Sequence, residues 1–235
     1  IVHNSVVRCE ANKKLWMETN GFAEALIQTL RSILAQEMDD EAKRVGCLVC
    51  RNVTALCTFD DFSCNIQSGH SHAPLLEEAG AAELIHVFLQ RVETADAVSA
   101  LRALAIQDDI VRSMLHIGVL DTAKHILQES ADSDVLTAVL GLFRNVSAND
   151  DIKTTLCRID VLSYLVQAME RYPSVALLQE HAAGWVAAMA LRKPRNAEVL
   201  VAAGVHQAIV AAMLPHPDRV PLQRQAALAL RNLVN

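Results

Sequence analysis

The stretch AGAAELIHVFL, from Ala79 to Leu89, places a glycine directly before an apolar segment. The apolar residues of this segment recur at intervals of three and four, which is the spacing of one buried face of an α-helix. The same arrangement occurs four more times in the chain. The other copies are NGFAEALIQTL from Asn20, IGVLDTAKHIL from Ile117, IDVLSYLVQAM from Ile159 and AGVHQAIVAAM from Ala203.

The position of this glycine defines a repeat. It falls at residues 21, 80, 118 and 204, with Asp160 in its place in the fourth copy, so successive copies are 59, 38, 42 and 44 residues apart. The first interval is long because it contains an insertion, FDDFSCNIQSGHSHA, at residues 59–73. Self-similarity at about 42 residues is typical of stacked helical repeats.

The composition of the 235 residues indicates an all-α protein. Hydrophobic residues make up 52% of the chain and aromatic residues only 4%, and most of the hydrophobic residues are the strong helix formers Ala and Leu or the small residue Val. The alternating aromatic and β-branched runs of a β-sheet protein are missing.

Each repeat consists of a short helix, a glycine corner, a medium helix, a loop and a long helix, and this pattern resembles the armadillo-repeat family. The resemblance implies a right-handed α-solenoid of three-helix repeats. We expect a single domain over residues 1–235, cut from a longer chain, because it opens on the helix-like IVHNSVV and ends just after a helical motif. The expected segments are a partial helix 1–10, repeats 11–58, 74–107, 108–149, 150–193 and 194–235, and an inserted surface loop 59–73.

An Arg-Asn pair recurs in the long third helix. It occurs in CRNVTA from Cys50, LFRNVSAND from Leu142 and LRNLVN from Leu230. Armadillo proteins that bind extended peptides use an asparagine on this helix to hydrogen-bond the peptide main chain, in a concave groove lined by the third helices. The resemblance therefore implies this role for three residues, and alanine interrupts the series at two other positions. The asparagines are Asn52, Asn145 and Asn232, and the alanines are Ala103 and Ala188.

Arginine precedes this position in four repeats, at Arg51, Arg102, Arg144 and Arg231. One interpretation is a cationic stripe that holds an acidic or phosphorylated partner segment through paired hydrogen bonds. The other is that each arginine packs its stem on the next repeat and pairs with a carboxylate there. The asparagines are open to the same alternative, because they can also bond to nearby backbone.

Charge and cysteine usage restrict the partners. A net charge of −6 and a pI near 5.8 argue against nucleic acid, which requires a basic face. No run of 18 apolar residues is present, so we expect no membrane span. Four of the six cysteines (Cys9, Cys47, Cys50 and Cys157) lie in helical apolar patterns, as free thiols of the core do, which predicts a reducing, intracellular location in the cytoplasm or nucleus. The CxxC of CLVC at residues 47–50 is interpreted as core, and the oligomeric state stays open.

The insertion offers cysteine and histidine, but not in a ligand pattern. Cys57, Cys64, His70 and His72 have a spacing that matches no paired zinc motif, so we expect a surface loop or a partner-docking segment and no metal site. No catalytic motif is visible elsewhere. We therefore expect no cofactor and no enzymatic activity.

The resulting hypothesis is a non-catalytic interaction scaffold that binds an extended protein segment in its groove. The candidate residues are Arg51, Asn52, Arg102, Arg144, Asn145, Arg231 and Asn232. The alternative is an adaptor subunit that docks a large partner through its convex face or through the 59–73 loop.

Overall fold

The computed structural model describes residues 2–60, 69–158 and 161–234. The chain forms two compact units, Ile1–Val119 and Leu120–Asn235, and each is described by itself. All regular structure in the described residues is helical, in sixteen helices. This confirms the predicted all-α class.

The first unit contains eight helices. They are α1 (Val2–Val6), α2 (Glu10–Glu18), α3 (Phe22–Leu34), α4 (Asp40–Cys57), α5 (Gly69–Glu78), α6 (Ala81–Arg91), α7 (Ala95–Leu104) and α8 (Asp108–His116). The third helices α4 and α7 pack along each other, and the second helices α3 and α6 pack side by side.

The second unit repeats this order. Its helices are α9 (Val119–Glu129), which starts one residue before the boundary, α10 (Ser133–Val146), α11 (Asp150–Arg158), α12 (Leu162–Arg171), α13 (Ala176–Ala190), α14 (Pro194–Ala202), α15 (Val205–Met213) and α16 (Val220–Leu233). The third helices α10, α13 and α16 stack in sequence, and α12 packs against α15.

The glycine corners are confirmed. Gly21, Gly80, Gly118 and Gly204 all have positive φ, between 74° and 85°, a conformation that glycine adopts without the Cβ clash of other residues. Each lets a second helix start immediately after the first one stops. The fourth corner, at Asp160, falls outside the described residues.

Polar loop residues begin the third helices. The carboxylate of Asp39 accepts a hydrogen bond from the backbone N–H of Ala42 at the start of α4, at 2.7 Å. Asp132 does the same for Asp134 and Val135 at the start of α10. These N-caps satisfy backbone donors that have no partner inside the helix.

The C-terminal end of the insertion is helical, where the sequence predicted a loop. Helix α5 begins at Gly69, and within it His72 and Ala73 are 3% and 0% exposed. The prediction of a surface loop over the whole of residues 59–73 is therefore wrong at its C-terminal end. The physical reason is that Ala73 and Leu76, at helical spacing, are buried together.

A buried ion network fixes the segment that leads into the insertion. Lys13 on α2 is fully buried, and its ammonium group donates to Glu10, to the backbone carbonyl of Thr58 at 2.6 Å and to Asp60. A buried ammonium ion is stable only when its donors are paired. The network therefore ties residues 58–60 to the first helix of the repeat.

Candidate functional site

Helix α4 carries the first Arg-Asn pair on a well-defined face. Val49, Val53 and Leu56 point into the core and are 0–3% exposed. Leu48 and Arg51 lie on the opposite side, where Leu48 is 44% exposed. This division follows from the helical spacing of the apolar residues. It leaves one apolar and one cationic side chain available to a ligand.

Asn52 lies between these two faces. Its side chain is only 6% exposed, and its amide oxygen Oδ1 is buried with no hydrogen-bond partner among the described residues. A buried polar atom without a partner costs on the order of 1–3 kcal/mol. Such an atom in a folded protein calls for an explanation, and a functional role is one of the explanations.

Arg51 pairs with the next repeat. Its Nε donates to a carboxylate oxygen of Asp96 on α7 at 2.9 Å, and this hydrogen bond raises the pKa of Arg51. The arginine side chain is 56% exposed. In the same unit Arg102 is partly buried on α7, and it is followed by the buried Ala103.

Arg144 also crosses to the next third helix. Its Nη1 lies 3.9 Å from a carboxylate oxygen of Glu180 on α13, and its stem lies directly over Gly184. A Cβ atom at Gly184 would stand 2.8 Å from Cδ and Nε of Arg144. The glycine therefore makes the space in which this arginine packs. Arg51 and Arg144 both fit the packing interpretation of the arginine stripe.

Asn232 differs from Asn52. Its amide Nδ2 donates to the backbone carbonyl of Ala187 at 2.9 Å, and its Oδ1 accepts from Nη2 of Arg231 at 3.1 Å. Ala187 contributes one of the last four carbonyls of α13, which have no partner within the helix. The side chain of Asn232 is thus used in repeat packing. Asn145 is partly buried at the end of α10.

Trp185 packs between third helices. It is fully buried, stacks on Phe143 of α10 with ring centroids 5.0 Å apart, and donates from Nε1 to the hydroxyl of Ser147 at 3.0 Å. Trp185 therefore points toward the neighbouring third helix. It is a core residue and contributes nothing to a ligand surface.

Two glutamines that the sequence analysis missed have a repeated role. Nε2 of Gln179 donates to the carbonyls of Met169 and Tyr172, and Nε2 of Gln223 donates to those of Met213 and His216. Each glutamine thereby binds one carbonyl at the C-terminal end of the second helix in its own repeat and one in the residues that follow that helix. Their 44-residue spacing, matched by the methionines at 169 and 213, was the signal that could have identified them.

The cysteines and the insertion show no ligand cluster in the described ranges. Cys50 is fully buried, and burial strongly raises the pKa of its thiol; burial also raises the pKa of Cys57 to about 12. His72 bonds through Nδ1 to the carbonyl of Leu56 at 2.9 Å. No group of three metal-ligating side chains occurs among the described residues. Cys64 lies outside them, and nothing is described of the His70 side chain.

No single helix in the described part of the chain is long and apolar enough to cross a bilayer. Helices α14 and α15 together reach the required length and composition, but they are bent by 75°.

A cleft of about 460 Å³ lies on the second helices of the second unit. Small residues of α15 and side chains of α12 line it, together with Gln179 from α13. The Oε1 atom of Gln179 is buried there without a hydrogen-bond partner among the described residues. This cleft is a competing place for a ligand.

Comparison with known proteins establishes the fold. No protein-family model and no curated protein matches the sequence. Solved structures match over nearly the whole chain. An engineered protein has a TM-score of 0.81 at 19% identity, covering 99% of this chain and 88% of its own. A designed armadillo repeat protein in complex with the peptide (KR)4 has a TM-score of 0.78 at 18% identity, covering 99% and 90%.

A third similar chain comes from work on a conserved phosphorylation switch that controls the interaction between cadherin and beta-catenin. It has a TM-score of 0.73 at 17% identity, and the match covers 99% of this chain and 41% of that one. At these identities the likeness concerns the fold. The expected architecture, an armadillo-type α-solenoid, is confirmed.

Proposed function

We propose that this chain is a non-catalytic protein-binding scaffold whose third helices hold an extended segment of a partner protein in a groove. The observation that carries the proposal is the unpaired amide oxygen of Asn52. Its amide oxygen is buried and has no partner in the described protein, whereas the corresponding Asn232 is fully engaged. A backbone N–H of a bound segment would supply the missing hydrogen bond.

The side chains beside Asn52 suit this role. An asparagine amide both donates and accepts, so it pairs with either group of an extended backbone. Leu48, one turn before it, offers exposed apolar surface. Arg51 is held by a half-exposed ion pair, which contributes little and can be exchanged for a ligand carboxylate or phosphate. Within two turns of α4, Leu48 thus supplies apolar contact, Asn52 supplies the hydrogen bonds that fix the register of the bound segment, and Arg51 supplies positive charge.

Arg51 and Arg231 favour an acidic or phosphorylated segment, because the exposed ion pair of Arg51 can be exchanged and Arg231 donates to an uncharged amide. Arg51, Arg102, Arg144 and Arg231 all precede the asparagine position of a third helix. The similar designed armadillo protein binds a peptide, which supports a protein partner for this fold. Its (KR)4 peptide is basic, and the Arg-Asn pairs here argue for the opposite charge on the partner of this chain.

A second candidate function is an adaptor that docks a partner on its second helices. The cleft between α12 and α15 favours it, because the unpartnered Oε1 of Gln179 lies there beside small residues of α15 and the polar side chains of Glu170 and Gln207. A partner side chain that carries one hydrogen-bond donor would fit there.

Affinity capture from cell lysate, with quantitative mass spectrometry, tests the two candidates. The groove bait carries Leu48→Ser and Asn52→Ala, and the cleft bait carries Ala211→Arg at an exposed position of α15. Leu15→Ser on α2 is the matched control, because Leu15 is also an exposed leucine at 64%. All baits are first matched for thermal stability.

We expect the groove bait alone to lose a specific set of proteins that the unmodified chain captures. If the groove bait retains that set and the cleft bait loses it, the proposal is wrong and the adaptor reading replaces it.

A further inference from the structure

A small cleft with three cationic side chains lies where α13 ends and α14 begins. Its volume is about 260 Å³, and Arg192, Lys193 and Arg231 line it together with Asn232. The remaining lining residues are Ala190, Leu191 and Pro194. Among the residues that the structure describes, no carboxylate contributes to the lining. A concave site with several positive charges and no negative one attracts anions.

The cations of this cleft lack the partners that other arginines of the third helices have. Arg51 is paired with Asp96, and Arg144 with Glu180. Among the described residues Arg192 and Lys193 form no ion pair. Arg231 donates to the amide oxygen of its neighbour Asn232, which carries no charge.

Asp150, whose pKa these cations help to lower, is already paired with another residue. Asp150 has a lowered pKa because Lys153 donates a hydrogen bond to it at 2.8 Å, with smaller contributions from Lys193 and Arg192. The positive charge of the cleft therefore stays available to an external anion.

We propose that this cleft binds the phosphate monoester of a phosphorylated residue in the partner segment. Arginine offers a planar fork of donors that matches two phosphate oxygens, and lysine adds a compact point charge. The inference deepens the proposed function and rests on it, since the segment held by the third helices is the one that carries the phosphate. Arg231 belongs both to the arginine series of the third helices and to this cleft.

The backbone at Arg192 allows a clean test. Its φ is +56°, in the left-handed region that glycine adopts without strain. Arg192→Gly therefore removes the side chain while the turn is kept. Arg8 has a φ of +54° and does not line the cleft, so Arg8→Gly is a matched control for the same substitution at the same conformation.

The experiment is a titration with inorganic phosphate at constant ionic strength, followed by the backbone amide shifts of the protein. We expect saturable shifts at residues 190–193, 195–196 and 231–232 that chloride does not produce; Pro194 has no backbone N–H to follow. Arg192→Gly and Lys193→Gln should each weaken the affinity on the order of tenfold, the usual value of one charged hydrogen bond, and Arg8→Gly should leave it unchanged. Non-saturable shifts, or full affinity in Arg192→Gly, would overturn the proposal.

A second arm separates a peptide phosphate from free phosphate. N-acetyl-phosphoserine amide should bind at least as tightly as inorganic phosphate, because its dianion has the same charge and is attached to a chain. Exclusion of this compound overturns the assignment to a phosphorylated segment. If phosphate fails to bind while the Leu48→Ser, Asn52→Ala bait still loses its partners, the inference fails and the proposed function stands.

Discussion

The contrast between Asn52 and Asn232 predicts that the same substitution destabilises the protein at one position and is nearly neutral at the other. Asn232→Ala removes the donor to the Ala187 carbonyl and the acceptor for Arg231. A buried carbonyl left without its partner costs about 1–3 kcal/mol. Asn52→Ala removes an amide whose oxygen is already unpaired, so the gain from losing that penalty offsets the lost packing, and the net change should stay within about 1 kcal/mol.

Chemical denaturation followed by helical circular dichroism measures both variants under identical conditions. The account predicts that Asn232→Ala lowers the free energy of unfolding by at least about 1 kcal/mol more than Asn52→Ala does. Equal losses in the two variants would refute the reasoning, because they would mean that Asn52 is as fully hydrogen-bonded as Asn232 in solution.

Three further predictions concern packing, titration and charge. Gly46→Ala should lower the melting temperature, since its Cβ would stand 2.4 Å from the buried ring of Phe88. Overpacking costs about 1–3 kcal/mol, which outweighs the ~1 kcal/mol gain in helix propensity. An unchanged melting temperature would contradict this packing. Burial lowers the pKa of His72 below 6.5, so the folded state binds fewer protons than the unfolded chain. The free energy of unfolding should therefore fall as the pH drops below that value, by at most about 1.4 kcal/mol per pH unit. Denaturation at several pH values checks this, and His72→Gln should reduce the slope. A double-mutant cycle on Arg51 and Asp96 should give a coupling below about 1 kcal/mol, because the arginine is 56% exposed; a larger value would argue against its exchange onto a ligand.

The sequence predicted the repeat because the signals for it are local. A glycine corner needs only a residue that tolerates positive φ, and the helices that follow it are defined by apolar spacing. Both features are visible in the letters around residues 21, 80, 118 and 204, and the four corners have the expected conformation.

The state of each asparagine could not be predicted, because it depends on the neighbouring repeat. Asn232 meets the carbonyl of Ala187, five residues before the left-handed Arg192. Near the start of the chain the left-handed residue is Arg8, and the residue five positions before it is His3. The carbonyl of His3 already accepts a hydrogen bond from the backbone N–H of Val7 at 3.2 Å. The C-terminal end of α13 therefore accepts a hydrogen bond from Asn232, whereas the corresponding carbonyl of His3 is already occupied, although the two Arg-Asn motifs have the same sequence.

Two other features also depended on tertiary contacts. The insertion is helical from Gly69 because Ala73 and Leu76 are buried in the core. No local turn signal indicated where this helix begins. The hydrogen bonds of Gln179 and Gln223 form only because the ends of the second helices lie within reach of these side chains. Sequence spacing shows which residues recur, whereas their partners follow from packing.

Site-specific photo-crosslinking shows whether a partner binds at the third helices. A benzophenone amino acid replaces Leu48 on the third helix in one version of the chain and Leu15 on α2 in the other, since both leucines are exposed. The account predicts that the probe at position 48 crosslinks to a partner in cell lysate, at peptides rich in acidic or phosphorylated residues, and that the probe at position 15 does not. Crosslinks from position 15 alone would contradict binding at the third helices.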